Sequence, residues 1–358
     1  MASENPVVES KANAGNFFED FTVGQVIVHA VPRTVTDGDV SLYTALYGGR
    51  FALNASTPFA QANGYAAAPI DSMLAFHLVF GKTVPDISLN AIANLGYAHG
   101  VFGQPVFPGD TISTTSTVIG VRETKDAKTG VVYVRSVGVN QHKQMILDYV
   151  RWALVRKRDA SAPAPWPVIP ELADAVPFNE LKIHIPDPAA STHITRTGSS
   201  HHWEDYAIGE RIDHVDGMTI EDAEHMMAAR LYHNTARVHF NQHVEREGRF
   251  GKRIVYGGHI ISIARALSFN GLSNGMTIAA INGGRHTNPT FAGDTVYSWS
   301  EVIDRGVIPG RDDIGVLRLR TVATKDLACA TFPYQKDDGS YHPNVVLDFD
   351  YTVTMRRR

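Results

Sequence analysis

In the segment LYHNTARVHFNQH, Asn234 and His239 stand five residues apart, and a glycine pair, Gly257-Gly258, later opens the apolar run GGHIISIARALSFN. An imidazole, with an unperturbed pKa of about 6.5, moves protons near neutral pH. An asparagine cannot ionise, yet its amide oxygen accepts a hydrogen bond and its NH₂ donates one. Gly257 and Gly258 lack a Cβ and precede a helical run, where free N–H groups and the helix dipole favour a developing negative charge; Tyr256 borders the same spot. Taken singly, these types can move a proton, orient a polar group and hold a developing negative charge. Simpler roles compete at each position: a core histidine, an asparagine capping a turn, a glycine pair making a tight loop. His225, His233, His239 and His243 raise the question of a metal, and the last two have i,i+4 spacing. There is no HExxH and no cysteine nearby, so no metal is expected. The glycines form no strand-Gly-x-Gly-x-x-Gly-helix unit, which argues against a nucleotide fold.

The elements that position these residues occur twice. FFEDFTVGQVIVH, ending at His29, matches HWEDYAIGERIDH, ending at His214, an offset of 185 residues. From Phe18 to Ser56 against Trp203 to Asn241, nine of 39 positions are identical, where roughly two or three would agree by chance. Asp37/Asp222, Leu46/Leu231 and Tyr47/Tyr232 are among them, and PVFPGDT (Pro105 to Thr111) pairs with PTFAGDT (Pro289 to Thr295). Two copies of this length are a domain pair and not a solenoid. The division is an N-terminal unit over 1–158, a proline-rich linker over 159–200 and a C-terminal unit over 201–358. In the linker, seven prolines from Pro163 to Pro188 stop both helix and central strand.

Each copy carries the same pattern. A short helix is expected after Thr36-x-x-Asp39 in one copy and after Thr219-x-x-Asp222 in the other, both capping-box spacings. A longer apolar helix follows, SMLAFHLVF stopped by Gly81 and HIISIARALSFN stopped by Gly271. Then come long alternating strands: TISTTSTVIGV, VVYVRSVGVNQ and MILDYVRWALVRK, against TVYSWSEVID, GVLRLRTVATK and NVVLDFDYTVTM. A helix followed by several long strands implies an α+β class, two antiparallel sheets each wrapped around a central helix.

Composition narrows the function. With 44% hydrophobic and 20% charged residues, the 358-residue chain can bury a core and is not disordered. A formal net charge of −4 offers no broad basic field for nucleic acid. The opening MASENPVVES has the makings of neither a secretory signal nor a transit peptide, and no window has the ~18 apolar residues of a membrane span. A single cysteine, Cys329, fits a reducing compartment, and a cytoplasmic location is expected. Arg356-Arg357-Arg358 reads as a frayed, solvated tail, with contact to an acidic surface as the alternative.

These residues resemble the MaoC-like, R-specific enoyl-CoA hydratase family, built on the hot-dog fold, over both copies. The resemblance rests on the aromatic-Glu-Asp-aromatic-x-x-Gly opening, the loop after Leu-Tyr, the glycine pair before the central helix and Pro-x-Phe-x-Gly-Asp-Thr. ARLYHNTARVHFN and VYGGHIISIARALSFNGL, with LYGGRFALNAS and FGKTVPDISLNAIANLGYAHG, are similar to the double hot-dog mesaconyl-CoA (2-methylfumaryl-CoA) hydratases. The family's loop has an Asp and a His five residues apart; here they match Asn234 and His239 in the C-terminal copy and Gly49 and Asn54 in the N-terminal one. The resemblance therefore implies chemistry in the C-terminal copy and a non-catalytic N-terminal copy that helps hold a long CoA ester. It implies addition of water to an α,β-unsaturated acyl-CoA, with coenzyme A as part of the substrate and no further cofactor. His239 would move protons, Asn234 would hold water, and the Gly257 and Gly258 amides would hold the thioester oxygen as it becomes enolate-like. Asn for Asp at 234 and Arg for Pro at 237 depart from the family pattern.

Mesaconyl-CoA carries a free carboxylate, for which Arg237 is the first candidate partner and Arg230 and Arg285 follow. Arg249, Lys252 and Arg253 are candidates for the CoA phosphates, with an ordinary exposed face as the alternative. An acyl-CoA is the expected partner, with no nucleic acid and no membrane; a homodimer or higher homo-oligomer stays open. An acyl-CoA thioesterase and a non-catalytic acyl-CoA binding module are the competing functions.

Overall fold

A computed structural model describes residues 10–188 and 197–358. The first nine residues, where a leader was considered, and residues 189–196 of the linker lie outside the described residues. The strands are β1 (Val26–Thr34), β2 (Ala91–Phe102), β3 (Thr111–Glu123), β4 (Thr129–Val139), β5 (Met145–Arg156), β6 (Arg211–Thr219), β7 (Gly275–His286), β8 (Thr295–Val307), β9 (Ile314–Lys325) and β10 (Val345–Arg356). The helices are α1 (Asp37–Tyr47), α2 (Ala52–Ala55), α3 (Thr57–Ala62), α4 (Ser72–Thr83), α5 (Asp222–Leu231), α6 (Gln242–Glu245), α7 (Gly257–Leu267) and α8 (Phe269–Leu272).

The strands join into one ten-stranded antiparallel sheet, ordered β1-β3-β4-β5-β2-β7-β10-β9-β8-β6. This modifies the expectation of two sheets. β2 and β7 pair with each other, Tyr97 opposite Gly284 and Val101 opposite Ala280, so the two halves meet edge to edge. The seam is close: a Cβ on Gly284 would come within 2.8 Å of the Tyr97 ring, and one on Gly100 within 2.8 Å of Ile281. Strand alternation holds as read, with β3 burying every second residue from Ile112 to Gly120. Each half of the sheet curls around its own long helix. α4 is buried at every position from Met73 to Thr83, and α7 nearly so from Gly258 to Leu267, which is how a helix apolar all round comes to rest.

Three local expectations change. Thr36 caps α1 in a full capping box with Asp39, but α5 starts from Glu221. Thr219 stays in β6 opposite Thr295, where the two hydroxyls bond at 2.8 Å, because its counterpart in the repeat is Thr34, which likewise bonds Thr111 at 2.8 Å. Gly81 does not stop α4, which runs on to Thr83 and a π-helical turn over Val84–Ser88. Its hydrogen side chain instead admits the Tyr232 carbonyl, onto which a Cβ would fall. Gly81→Ala therefore is expected to destabilise the fold. Ala gains about 1 kcal/mol of helix propensity, while overpacking a closed contact costs roughly 1–3 kcal/mol. Urea unfolding reads the balance, and a more stable variant would show that the Tyr232 backbone can retreat. Gly271, at φ +104°, does break the second helix as expected.

The terminal arginines are not frayed. Arg356 donates to Asn63 Oδ1 at 2.7 Å and Arg358 holds Asp205 at 2.6 Å, so acidic side chains next to the Trp203 turn close the C-terminus. The linker runs against the sheet: Val168 bridges Val121, the Val176 amide donates to Asn282 Oδ1 at 3.0 Å, and the His184 amide donates to the Gly103 carbonyl at 3.0 Å.

Candidate functional site

Asn234 and His239 lie in the loop after α5, and both are buried. The loop leaves the helix through Tyr232, whose hydroxyl meets that of its repeat counterpart Tyr47 at 2.7 Å. His233 takes φ +55°, and Asn234 Oδ1 then accepts the Ala236 amide at 3.1 Å. Asn234 thus does shape its turn, and its NH₂ is the end that turn leaves over. A 3₁₀ turn over Arg237–His239 brings the imidazole inward.

The orientation of His239 follows from one hydrogen bond. Nδ1 lies 2.8 Å from the Ile254 carbonyl, and a carbonyl only accepts, so Nδ1 carries the hydrogen and the neutral ring presents a bare Nε2. Burial lowers its pKa to about 4, so the neutral, basic form is present at neutral pH.

Tyr256 is the N-cap residue of α7, its ring 5.7 Å from that of His239. Gly257 and Gly258 follow, ahead of the first hydrogen bond of the turn, from the His259 amide to the Tyr256 carbonyl at 2.8 Å. Their amides belong to the helix end that makes no intrahelical bond. Neither position admits a side chain. A Cβ on Gly257 would meet His286 at 2.5 Å, and one on Gly258 would strike the rings of Tyr256 and His77.

The residues packed against this turn come from the N-terminal half, which sequence reading did not place here. His77 on α4 bonds Ser262 Oγ at 2.9 Å through Nε2 and faces the Tyr256 hydroxyl at 3.3 Å through Nδ1. Burial, with His259 and His286 nearby, lowers its pKa to about 3. The Phe80 ring lies 5.6 Å from that of Tyr256, and Arg151 of β5 sits over Phe80, 4.4 Å from its centroid. A signal for Arg151 was present in the sequence: in the alternating strand MILDYVRWALVRK it shares the inward face with Leu147, Tyr149 and Ala153.

The remaining candidates are dispersed. Arg237 is exposed, its Nη1 3.5 Å from Asn90 Oδ1 of the N-terminal half. Arg230 is exposed on α5, and Arg285 is exposed on β7 opposite Asp348. Arg249 and Lys252 are exposed, the latter 4.2 Å from the Phe291 ring, whereas Arg253 is held by Asp222 at 2.6 Å. Among the described residues, no three His, Cys, Asp or Glu side chains gather as a metal site. In the N-terminal half, Asn54 Nδ2 donates to the Pro69 carbonyl at 3.0 Å, beside a cleft lined by Leu53, Ile70, Ser72, Phe102, Ile146 and Thr277.

The family model for mesaconyl-CoA hydratase matches residues 7–331. A β-methylmalyl-CoA dehydratase of Chloroflexus aurantiacus is 67% identical over 98% of this chain and 100% of its own length. A mesaconyl-CoA hydratase of Cereibacter sphaeroides is 54% identical over 97% of this chain and all of its own. Among solved structures, a MaoC domain dehydratase from Chloroflexus aurantiacus superposes with a TM-score of 0.96 at 67% identity, over 98% of this chain and 100% of that one. A Mycobacterium tuberculosis protein with a double hot-dog fold matches at TM-score 0.72 and 24% identity, over 96% of this chain and 99% of that one, a likeness of fold.

Proposed function

The chain belongs to the mesaconyl-CoA hydratase family, and we propose that the loop from Asn234 to His239 and the first turn of α7 carry its reaction. It is a hydro-lyase with the double hot-dog fold, adding water reversibly to an α,β-unsaturated acyl-CoA, mesaconyl-CoA giving β-methylmalyl-CoA. Nε2 of His239 takes a proton from water while the water oxygen bonds to Cβ of the enoyl ester. The electron pair of the double bond moves to the thioester oxygen, which the Gly257 and Gly258 amides receive. The imidazolium returns the proton to Cα, so one water is added and the enzyme is unchanged. Asn234 NH₂ positions the water or the ester without entering the proton count. The observation that carries this reading is the His239 Nδ1 bond to Ile254, which leaves Nε2 bare in a buried, neutral ring.

Coenzyme A arrives as part of the substrate, and the reading requires no separate cofactor. For its phosphates we retain Arg249 and Lys252, since Arg253 already has Asp222 as a partner. Among the described residues no helix is long and apolar enough to cross a membrane. We place the protein in the cytoplasm, where the buried free thiol of Cys329 would persist, its pKa raised to about 11 by burial. A panel of enoyl-CoA esters tests the reaction: loss of enoyl absorbance without thiol release is expected, and thiol release would mean hydrolysis instead.

Asn234→Asp tests the loop. The new carboxylate can still accept the Ala236 amide, so the turn survives, but a negative charge near His239 stabilises the imidazolium. The acidic limb of kcat/KM is expected to move to higher pH. Activity on mesaconyl-CoA should fall more than on crotonyl-CoA, because only the former brings a second carboxylate. Full activity with an unchanged pH profile would remove position 234 from the reacting carbons.

A further inference from the structure

Arg151 is completely buried, yet every hydrogen bond it makes is to a neutral group: Thr83 Oγ1 at 2.7 Å, Ser88 Oγ at 3.3 Å and Asn94 Oδ1 at 3.4 Å. Among the described residues no carboxylate pairs with it. A buried guanidinium without a counter-ion is costly, because its desolvation is offset only by dipoles and by the face of Phe80. Its Nε has no hydrogen-bond partner, and two further orphaned polar atoms lie beside it. One is Tyr149 Oη, two residues back on the same face of β5, which interacts with the Ser136 and Thr83 side chains and with Arg151 itself but completes no hydrogen bond of good geometry; the other is Nδ2 of Asn94, on the neighbouring strand β2. All three atoms can donate, and all three are shut away from water. Three enclosed donors around a positive charge describe a site for an anion.

The repeat supplies an independent comparison. In the other half, the residue before the central helix α4 is Asp71, and its charge interacts with the buried Arg265 of α7. The counterpart of Asp71 before α7 is Tyr256. Arg151 therefore faces Tyr256, Tyr97 and Tyr149 where Arg265 has a carboxylate.

We propose that Arg151, with Asn94 Nδ2 and Tyr149 Oη, receives the free carboxylate of the acyl group. This rests on mesaconyl-CoA as substrate. That carboxylate hangs from Cβ, the carbon attacked by water, at the end of the enoyl unit away from the thioester. Its site must then lie apart from the Gly257-Gly258 turn but within reach of it, and Arg151 meets that need through Phe80, which packs on Tyr256 next to the turn. Because Phe80 lies against Arg151, entry of the carboxylate requires Phe80 or Tyr256 to turn aside. Arg237, exposed and close to Asn90, remains outside this enclosure. The enzyme selects a dicarboxylic acyl chain by leaving a cation unpaired until the substrate arrives.

The test compares two ester pairs. Arg151→Met is expected to lower kcat/KM on mesaconyl-CoA about a hundredfold, the loss typical of removing one partner from a buried charged pair, and to leave crotonyl-CoA close to wild type. Its melting temperature should stay level or rise, since a buried ion without a partner is replaced by an apolar chain of similar length. Arg151→Lys, which keeps the charge without the fork, should recover part of the loss. Equal losses on both esters would return Arg151 to a structural role, and a selective loss in Arg237→Ala instead would move the carboxylate there; either overturns the proposal. Binding of two unreactive esters, succinyl-CoA and butyryl-CoA, separates the subsite from the reaction. Should the wild type fail to hydrate mesaconyl-CoA, the substrate reading falls, while a preference for succinyl-CoA that Arg151→Lys weakens would still uphold the carboxylate site. No preference in the wild type overturns it.

Discussion

Replacing His239 with alanine is expected to lower kcat on mesaconyl-CoA by about 10²–10⁴, the range for losing general acid–base help, with the fold intact. The ring has one fixed hydrogen bond, Nδ1–H to the Ile254 carbonyl, and the Ile254 amide is independently held by the Val238 carbonyl at 3.2 Å. Removing the ring therefore frees one carbonyl, which a water can take over. The loss should fall mainly on kcat, because in the proposed reaction Nε2 acts on water and on Cα and not on the CoA moiety. Asn54→Ala, at the matching position of the N-terminal half, should change kcat far less, since Asn54 is occupied with the Pro69 carbonyl. Because burial lowers the pKa of His239 to about 4, the ring should give the wild type no acidic limb in the ordinary histidine range, and loss of rate below about pH 6 should follow unfolding and not titration of the ring. Equal damage from the two substitutions would place the chemistry elsewhere.

The second large effect is on stability. Burial holds His77 and His259 at a pKa of about 3, and His214, His239 and His286 at about 4. In the unfolded chain each protonates near 6.5, so between pH 6.5 and about 4 the unfolded state binds protons that the native state refuses. Stability is thus complete above pH 6.5 and falls as pH drops through that window. At pH 5.5 each histidine contributes a loss of roughly 1.4 kcal/mol, and five together rival the whole stability of a domain, roughly 5–15 kcal/mol. Asp71, whose carboxyl is raised by burial, works in the opposite direction but is a single group. The urea midpoint should collapse between pH 7.5 and pH 5.5. A midpoint unchanged over that range would mean that these rings are charged in the native state.

Much of this architecture is written in the sequence because the chain states it twice. The 185-residue offset located both central helices, and strand alternation located β3, β4, β5, β8, β9 and β10 from residue types alone. What was hidden depends on contacts between the copies. Gly81 looked like a helix stop, since nothing local reveals that the Tyr232 carbonyl, 151 residues away in sequence, presses on it. Thr219 imitated a cap through a chance Thr-x-x-Asp, whereas the repeat register puts Glu221 opposite Thr36. The pairing of β2 with β7 has no signature, because an edge strand reads the same whichever strand it meets. The loop and the glycine pair, picked out in the C-terminal copy from sequence, lie close together through Tyr256, whose ring is 5.7 Å from that of His239. Of the N-terminal residues packed against them, His77, Phe80 and Tyr97 look like core until the second copy is set against them, and Arg151 stands out only as a cation on the inward face of an alternating strand.

The continuous sheet also changes how the protein can evolve. In an assembly of two identical chains every substitution appears at both symmetry-related positions, so a lone buried arginine would have to be tolerated twice. Here β5 and β10 are counterparts over Met145–Arg156 and Val345–Arg356, and Arg151 in one corresponds to Tyr351 in the other. On the helices, Phe80 corresponds to Arg265. Covalent duplication followed by edge pairing at Tyr97 and Gly284 lets each charge be placed once. The strand order stays symmetric about the β2-β7 seam while side chains at matching positions differ, and one half can specialise without spoiling the other.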